Sequence, residues 1–300
     1  MVDGQPAPDS NEEYLLYQTV VGAWPIEPVS QTEHAEFTER IQQFMFKALR
    51  EAKVNTSWVS PRPEYDAAVR RFVDGLLDRS GPNSFLNDFL PFQRRVSAWG
   101  MYNALSQTLL KLTIPGVADF YQGTELWDLS LVDPDNRRPV DFAQRRRLLD
   151  ALVAEIAASP DLSTLAHGLL ETKEDGRVKM YLIHQALKLR RAQAELFLEG
   201  AYRPLETRGP LAAHVCSFAR VCGAAVALTV VPRLYARRPA DEPPCGAAYW
   251  PDDTHVVVPA DMGGHFRNVL TGERVEPWDG VLELARACRS FPVALLVRED

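Results

Sequence analysis

The chain has 300 residues, 46% of them hydrophobic and 24% charged, with a formal net charge of −7. That is enough apolar material for one large or two smaller cores, and it excludes a disordered chain. An acidic balance without a basic stripe argues against nucleic acid as a partner, and no apolar run approaches the roughly 20 residues that span a bilayer, so no membrane is expected. The four cysteines, Cys216, Cys222, Cys245 and Cys288, form no CxxC pair and have no His at zinc-finger spacing. Reduced, partly buried thiols in a cytoplasmic protein are expected.

Residues 1–10 are polar and contain prolines, and an irregular start is expected. The spacing of Tyr14, Leu15, Gln18 and Val21 predicts a helix over 11–23, capped by Asn11 and closed by Trp24-Pro25. A second helix is predicted over 31–52, capped near Thr32, with Phe37, Ile41, Met45 and Leu49 on one face. Residues 53–63 read as an extended loop. Its Trp58 either packs over the neighbouring helices or offers a platform to a sugar ring. A helix over 64–78 and a turn at Gly81-Pro82-Asn83 follow. The long helical pattern over 84–112 is interrupted at Leu90-Pro91 and reads as two helices.

The centre of the chain is the stretch 114–142. A Pro115-Gly116 turn leads into residues 117–121, whose apolar and aromatic content suits a buried strand. A polar loop follows at once. Buried strands that open into such loops build the substrate faces of α/β barrels. Trp127 suits the apolar face of a sugar, and planar carboxylates, amides and guanidinium groups make paired hydrogen bonds to vicinal hydroxyls. The candidate substrate-binding residues are Gln122, Glu125, Trp127, Asp133, Asn136 and Arg137, and the expected ligand is neutral and rich in hydroxyls.

Beyond the loop, a helix is predicted over 142–158 with Arg145, Arg146 and Arg147 as a solvated face. A short helix over 163–171, a charged turn over 173–177 and a single helix over 178–198 come next, the last ending at Gly200 as a C′ glycine. From residue 202 the period alternates. Strands are predicted over 215–220, 224–231, 255–258, 266–270, 273–275 and 291–297, with a long loop over 232–251. These amount to a small antiparallel sheet or sandwich of about five or six strands. The histidines are isolated or lack a carboxylate partner pattern, and no metal site is expected among them.

The run GVADFYQGTELWDLSLVDPDNRRPVDF resembles the eighth-strand region of the α-amylase superfamily of glycoside hydrolases. With APDSNEEYLLYQTVVGAWP, KVNTSWVSPRPEYDAAV and FLPFQRRVSAWGMYNALSQTLLKLTIPG, it is similar over essentially the whole chain to the malto-oligosyltrehalose synthase family. LKLRRAQAELFLEGAYRPLE looks like the last barrel helix of such enzymes and its exit into their C-terminal β-domain. The resemblance implies an α+β chain: a mostly helical, partial (β/α)8 barrel segment over 1–200, comprising the last strand and a helical excursion, then a small antiparallel β-domain over 201–300. It implies maltooligosaccharide as substrate, an intramolecular transglucosylation as the parent activity, and neither cofactor nor metal.

The family's catalytic Asp, Glu and Asp lie upstream of the stretch matching APDSNEEYLLYQ, so none of the three roles falls on a residue here. A complete barrel takes about 250 residues, and only one barrel-type strand is read before residue 200. The expectation is therefore a C-terminal section, inactive alone, with an N-terminal barrel half as a partner. A non-catalytic α-glucan-binding or interaction protein and a split-enzyme subunit are the alternatives. Glu125, Asp128, Asp133 and Asp135 could supply the carboxyl pair, about 5 to 5.5 Å apart, that retaining chemistry needs, but beside Arg137 and Arg138 structural ion pairs are expected.

Overall fold

The computed structural model describes residues 1–237, 243–251 and 253–299. Two compact units are defined. The first comprises Met1–Ser97 and Asp128–Pro139, the second Ala98–Trp127 and the chain from Val140 onward.

In the first unit, α1 (Ser10–Ala23) is capped by Asp9, two residues before the predicted Asn11. The Asp9 carboxylate accepts from the Asn11 and Glu12 N–H groups, and Glu12 accepts from the Asp9 N–H, which satisfies orphan donors at both ends of a capping box. Tertiary contacts choose this cap. Asn55 donates to Asp9 at 2.7 Å and to Glu12 at 3.0 Å, and the buried Tyr65 hydroxyl donates to Glu12. Two stretches of the sequence, around 9–12 and around 55–65, are thereby joined.

The next helix, α2 (Gln31–Ala52), begins with a second capping box, Ser30 with Glu33 rather than Thr32. α3 (Pro63–Leu77) carries Pro at its first turn, where the missing N–H costs nothing. Phe37, Ile41, Met45 and Leu49 of α2 are buried with Tyr65, Val69, Val73 and Leu77 of α3 in one core, to which α1 adds Leu16 and Val20.

The stretch read as two helices is one, α4 (Ser84–Thr113), with Pro91 inside it. A proline there removes one ladder bond and costs about 3 kcal/mol. Burial on both sides of Pro91 offsets it: Leu86 and Phe89 pack in the first unit's core, and Leu105, Leu109 and Leu112 in the second unit's.

The second unit continues with α5 (Phe142–Ala158), α6 (Leu162–Glu171), α7 (Arg177–Ala192) and α8 (Ala194–Leu198). The single helix expected over 178–198 breaks at Gln193, which sits at φ −124°, ψ 54°. Among the described residues nine strands follow: β1 (Ala201–Pro204), β2 (Thr207–Arg208), β3 (Val215–Cys222), β4 (Ala225–Pro232), β5 (His255–Val257), β6 (His265–Asn268), β7 (Arg274–Val275), β8 (Val281–Glu283) and β9 (Ala294–Glu299). They form a six-stranded sheet, β1-β3-β4-β9-β6-β7, and a three-stranded one, β2-β5-β8, antiparallel at every pairing. The strands beyond the predicted six are β1, β2 and β8, of four, two and three residues.

Alternation decides how the larger sheet is buried. Ala227 and Val231 of β4, with Leu295 and Val297 of β9, share a core with Leu105, Leu109, Tyr181 and Ala186 of the helices. Val226, Leu228 and Val230, with Ala294 and Leu296, share the other with Val256 and Leu282 of the smaller sheet. Helices cover one face and strands the other.

Residues 117–121, read as a buried strand, pair with no strand; Val117 is 97% exposed and Tyr121 50%. A parallel strand needs neighbours for its N–H and C=O groups, and every named strand of the described residues lies in an antiparallel sheet elsewhere. The cysteines are free, Cys288 buried and the other three half-buried. Part of the expected 232–251 loop lies outside the described residues. Among those described, no helix is long and apolar enough to cross a membrane.

Candidate functional site

The six candidate residues divide between the two units: Gln122, Glu125 and Trp127 belong to the second, Asp133, Asn136 and Arg137 to the first.

In the second unit, Gln122 is exposed. Gly123 adopts φ +91°, a conformation that strains any side chain, and a Cβ there would lie a tight 3.3 Å from the Val140 side chain. Its carbonyl accepts from Arg145 at 2.8 Å, and Arg145 also pairs with Glu125 at 3.2 Å. Arg145 therefore leaves the solvated face expected of it and holds the loop, while Arg146 and Arg147 are exposed. The Trp127 indole N–H donates to the Lys173 carbonyl at 2.6 Å, and its ring packs against the core with the Lys179 ammonium 5.7 Å from its centroid.

In the first unit, Asp135 organises the loop. Arg40 of α2 donates to both its carboxylate oxygens at 2.9 Å and to the Leu129 carbonyl at 3.0 Å, and the Leu131 N–H donates at 2.6 Å. Arg138 pairs with it at 3.1 Å. Burial alone would push this carboxyl up; the Arg40 and Leu131 hydrogen bonds and the charges of Arg40 and Arg138 outweigh it, and the net displacement is downward. Around this centre Asp133 pairs with Arg137, its carbonyl accepts from Lys47, and Asn136 is half-buried. Arg137 keeps a side chain 74% exposed.

Between α2 and α3 the same unit holds a cleft of about 590 Å³ whose lining includes Phe46, Lys47, Trp58, Asp66, Arg70 and Pro134. Pro134 and Lys47 bring the candidate loop to its edge. Trp58 is 53% exposed and packs edge-on against Phe46, with centroids 5.7 Å apart. Arg50, paired with Asp66 at 2.7 Å, lies 4.0 Å from the Phe46 ring and 5.0 Å from the Trp58 ring. Of the two readings of Trp58, packing on the neighbouring helix is what these distances describe, and part of the ring remains open to the cleft.

Arg40 and Lys47, the residues sequence reasoning missed, stand seven apart on α2. That spacing puts both on one helix face and was the available signal. Of the loop acids, Glu125, Asp133 and Asp135 are held in ion pairs, while Asp128 accepts from the Ser130 N–H. Every carboxyl group of the described residues whose pKa is clearly displaced is moved down. A general acid requires the opposite displacement. Among the described residues no group of three His, Cys, Asp or Glu is placed to hold a metal ion.

These features define an α+β chain with an aromatic-lined cleft and a cation-braced polar loop, chemistry suited to holding a ligand. No protein-family model matches the chain. It is 36% identical over 98% of its length to the putative maltooligosyl trehalose synthases of two Mycobacterium tuberculosis strains, covering 32% of each. The solved maltooligosyltrehalose synthase of Arthrobacter ramosus superposes with a TM-score of 0.76 at 35% identity, over 99% of this chain and 33% of that one. A Sulfolobus tokodaii hypothetical maltooligosyl trehalose synthase gives 0.67 at 30% identity, over 96% and 32%. The chain is homologous to a C-terminal portion of the maltooligosyl trehalose synthases and spans about a third of the length of those relatives.

Proposed function

We propose that the chain is the C-terminal section of a (1→4)-α-D-glucan 1-α-D-glucosylmutase, acting in trehalose biosynthesis in the cytoplasm. The parent reaction converts a maltooligosaccharide to a maltooligosyl trehalose: the terminal α-1,4 linkage is cleaved through a covalent glucosyl-enzyme and re-formed as α,α-1,1. In this reading residues 1–200 complete a (β/α)8 barrel supplied mainly by an N-terminal half, and 201–300 form its β-domain. Residues 117–121 would become the last barrel strand when neighbouring strands are supplied. Gln122, Glu125, Trp127, Asp133, Asn136 and Arg137 would line the substrate path, and the catalytic Asp, Glu and Asp would come from the N-terminal half.

The observation that carries the reading is the match to the synthases along 98% of the chain. The ion-paired loop acids support the division of labour, since a carboxylate braced by arginine is poorly suited to protonate a leaving group. Combining the chain with an N-terminal barrel half tests it. Loss of reducing ends from maltopentaose by the mixture, and by neither part alone, is expected. A folded mixture that leaves them untouched, while the chain alone binds maltopentaose, points instead to a non-catalytic α-glucan-binding protein.

A further inference from the structure

Helix α2 is seated by one face and grips the candidate loop with another. Phe37, Ile41, Met45 and Leu49 bury it in the first unit's core, so its packing does not call on Arg40 or Lys47. Arg40 keeps 21% of its side chain exposed yet donates three hydrogen bonds to the loop, Nε and Nη2 to the two Asp135 carboxylate oxygens and Nη2 again to the Leu129 carbonyl. Seven residues along, Lys47 donates to the Asp133 carbonyl and lies 3.8 Å from the Asp133 carboxylate. Seven residues is about two helical turns, so the two cations stand on one face, roughly 10 Å apart along the axis.

The loop held in this way contains one 3₁₀ turn, Asp135–Arg137, in which the Arg137 N–H donates to the Pro134 carbonyl at 3.0 Å. Three residues per turn set successive side chains about 120° apart and bring residues three apart into line. Asp135 and Arg138 follow that rule and pair at 3.1 Å. The Asp135 carboxylate is fixed by Arg40 and by the Leu131 N–H. Within one turn, whatever fixes Asp135 also fixes the directions in which Asn136 and Arg137 leave the backbone. Arg137 is held a second time, by its ion pair with Asp133, whose carbonyl Lys47 anchors.

We propose that Arg40 is a positioning residue: through Asp135 it sets the directions in which Asn136 and Arg137 meet a glucan substrate, and Lys47 supports Arg137 through Asp133. The substrate side of this inference rests on the function proposed above; the brace rests on the hydrogen bonds of Arg40 and on the 3₁₀ turn. A guanidinium suits the task because its planar fork meets a carboxylate at two points and so fixes an angle. A lysine at the same place keeps the charge and loses the fork.

Arg40→Lys, read in two measurements, is the test. In the full chain, hydrogen exchange of the amides of residues 128–139 speeds up by about tenfold or more, while the amides of α1 and α3 keep their wild-type rates. In the enzyme assembled with an N-terminal half, kcat/KM for maltopentaose falls by about five- to tenfold through KM, with kcat within about twofold of wild type. The same substitution lowers kcat/KM no further in an Asn136→Ala, Arg137→Ala background, because a residue that acts through others has no effect once they are gone. Lys47→Met gives both signatures at smaller amplitude and serves if Arg40→Lys disturbs the fold. Unchanged exchange overturns the brace whatever the chain's function. Faster exchange with unchanged kcat/KM, or with an effect that persists in the double-alanine background, overturns positioning and leaves the proposed function standing. An assembled wild type that leaves reducing ends untouched overturns the substrate role together with that function.

Discussion

The guanidinium of Arg220 donates to the Gly200 carbonyl at 2.7 Å, although Arg220 itself is only 1% exposed. It also donates to the carbonyls of Phe197 at 2.9 Å and Thr113 at 3.1 Å. Those carbonyls lie at or just past the C-terminal ends of α8 and α4, where the helix dipole is negative, so the buried cation is compensated by aligned backbone. Burial pulls its pKa down, with the nearby Arg190 acting in the same direction. Replacing Arg220 by Met roughly keeps the volume but leaves three backbone acceptors, two of them buried, without this donor. A loss of about 3 to 4 kcal/mol in urea unfolding is expected.

Gly200 faces a stricter limit. A Cβ there would lie 2.1 Å from the Leu196 carbonyl oxygen, so close backbone approach, rather than a left-handed cap, requires glycine. Gly200→Ala should cost more than about 2 kcal/mol. Gly22→Ala, at an exposed position in α1 with nothing within 4 Å, should gain about 0.5 to 1 kcal/mol from helix propensity. Thermal unfolding of the two variants compares them directly.

The Arg40–Asp135 pair sets an acid limit on the first unit. Because the folded-state pKa of Asp135 is depressed, its contribution is present above the unfolded value of about 3.9 and is lost as pH falls through the folded value. Asp135→Asn should therefore be less stable than wild type at pH 7 by about 2 to 3 kcal/mol. The difference should shrink steadily below about pH 4. Urea unfolding from pH 7 to pH 2 measures it; a gap that stays constant with pH would contradict the pairing.

Much of this was legible in the sequence. Apolar periodicity gave α2 and α5 to the residue, since each buries or caps itself by local pattern. Hidden from it were the choices made by distant partners. Asn55 and Tyr65 select Asp9 as the cap of α1, and cores on either side of Pro91 carry α4 through a proline. The strand at 117–121 was read from composition, but strands exist only with neighbours. Nor does a sequence show that the Trp127 N–H is taken by the Lys173 carbonyl, a contact 46 residues away along the chain.

Arg137 and Asn136 test the loop. Because Arg137 is largely exposed and its partner Asp133 also faces Lys47, Arg137→Ala should change stability by less than about 0.5 kcal/mol. In an assembled enzyme, each alanine variant should raise the maltopentaose concentration for half-maximal rate by about five- to thirtyfold, the loss of one charge-assisted or buried hydrogen bond. Unchanged kinetics for both would remove these residues from the substrate path.

The function proposed here divides the work: this chain would hold glucan and leave the chemistry to an N-terminal half. The most direct measurement is the loss of reducing ends from maltopentaose by the purified chain alone, its folding verified by circular dichroism. Reducing ends are expected to persist. Their disappearance would place the catalytic carboxyl groups within these 300 residues and contradict that division.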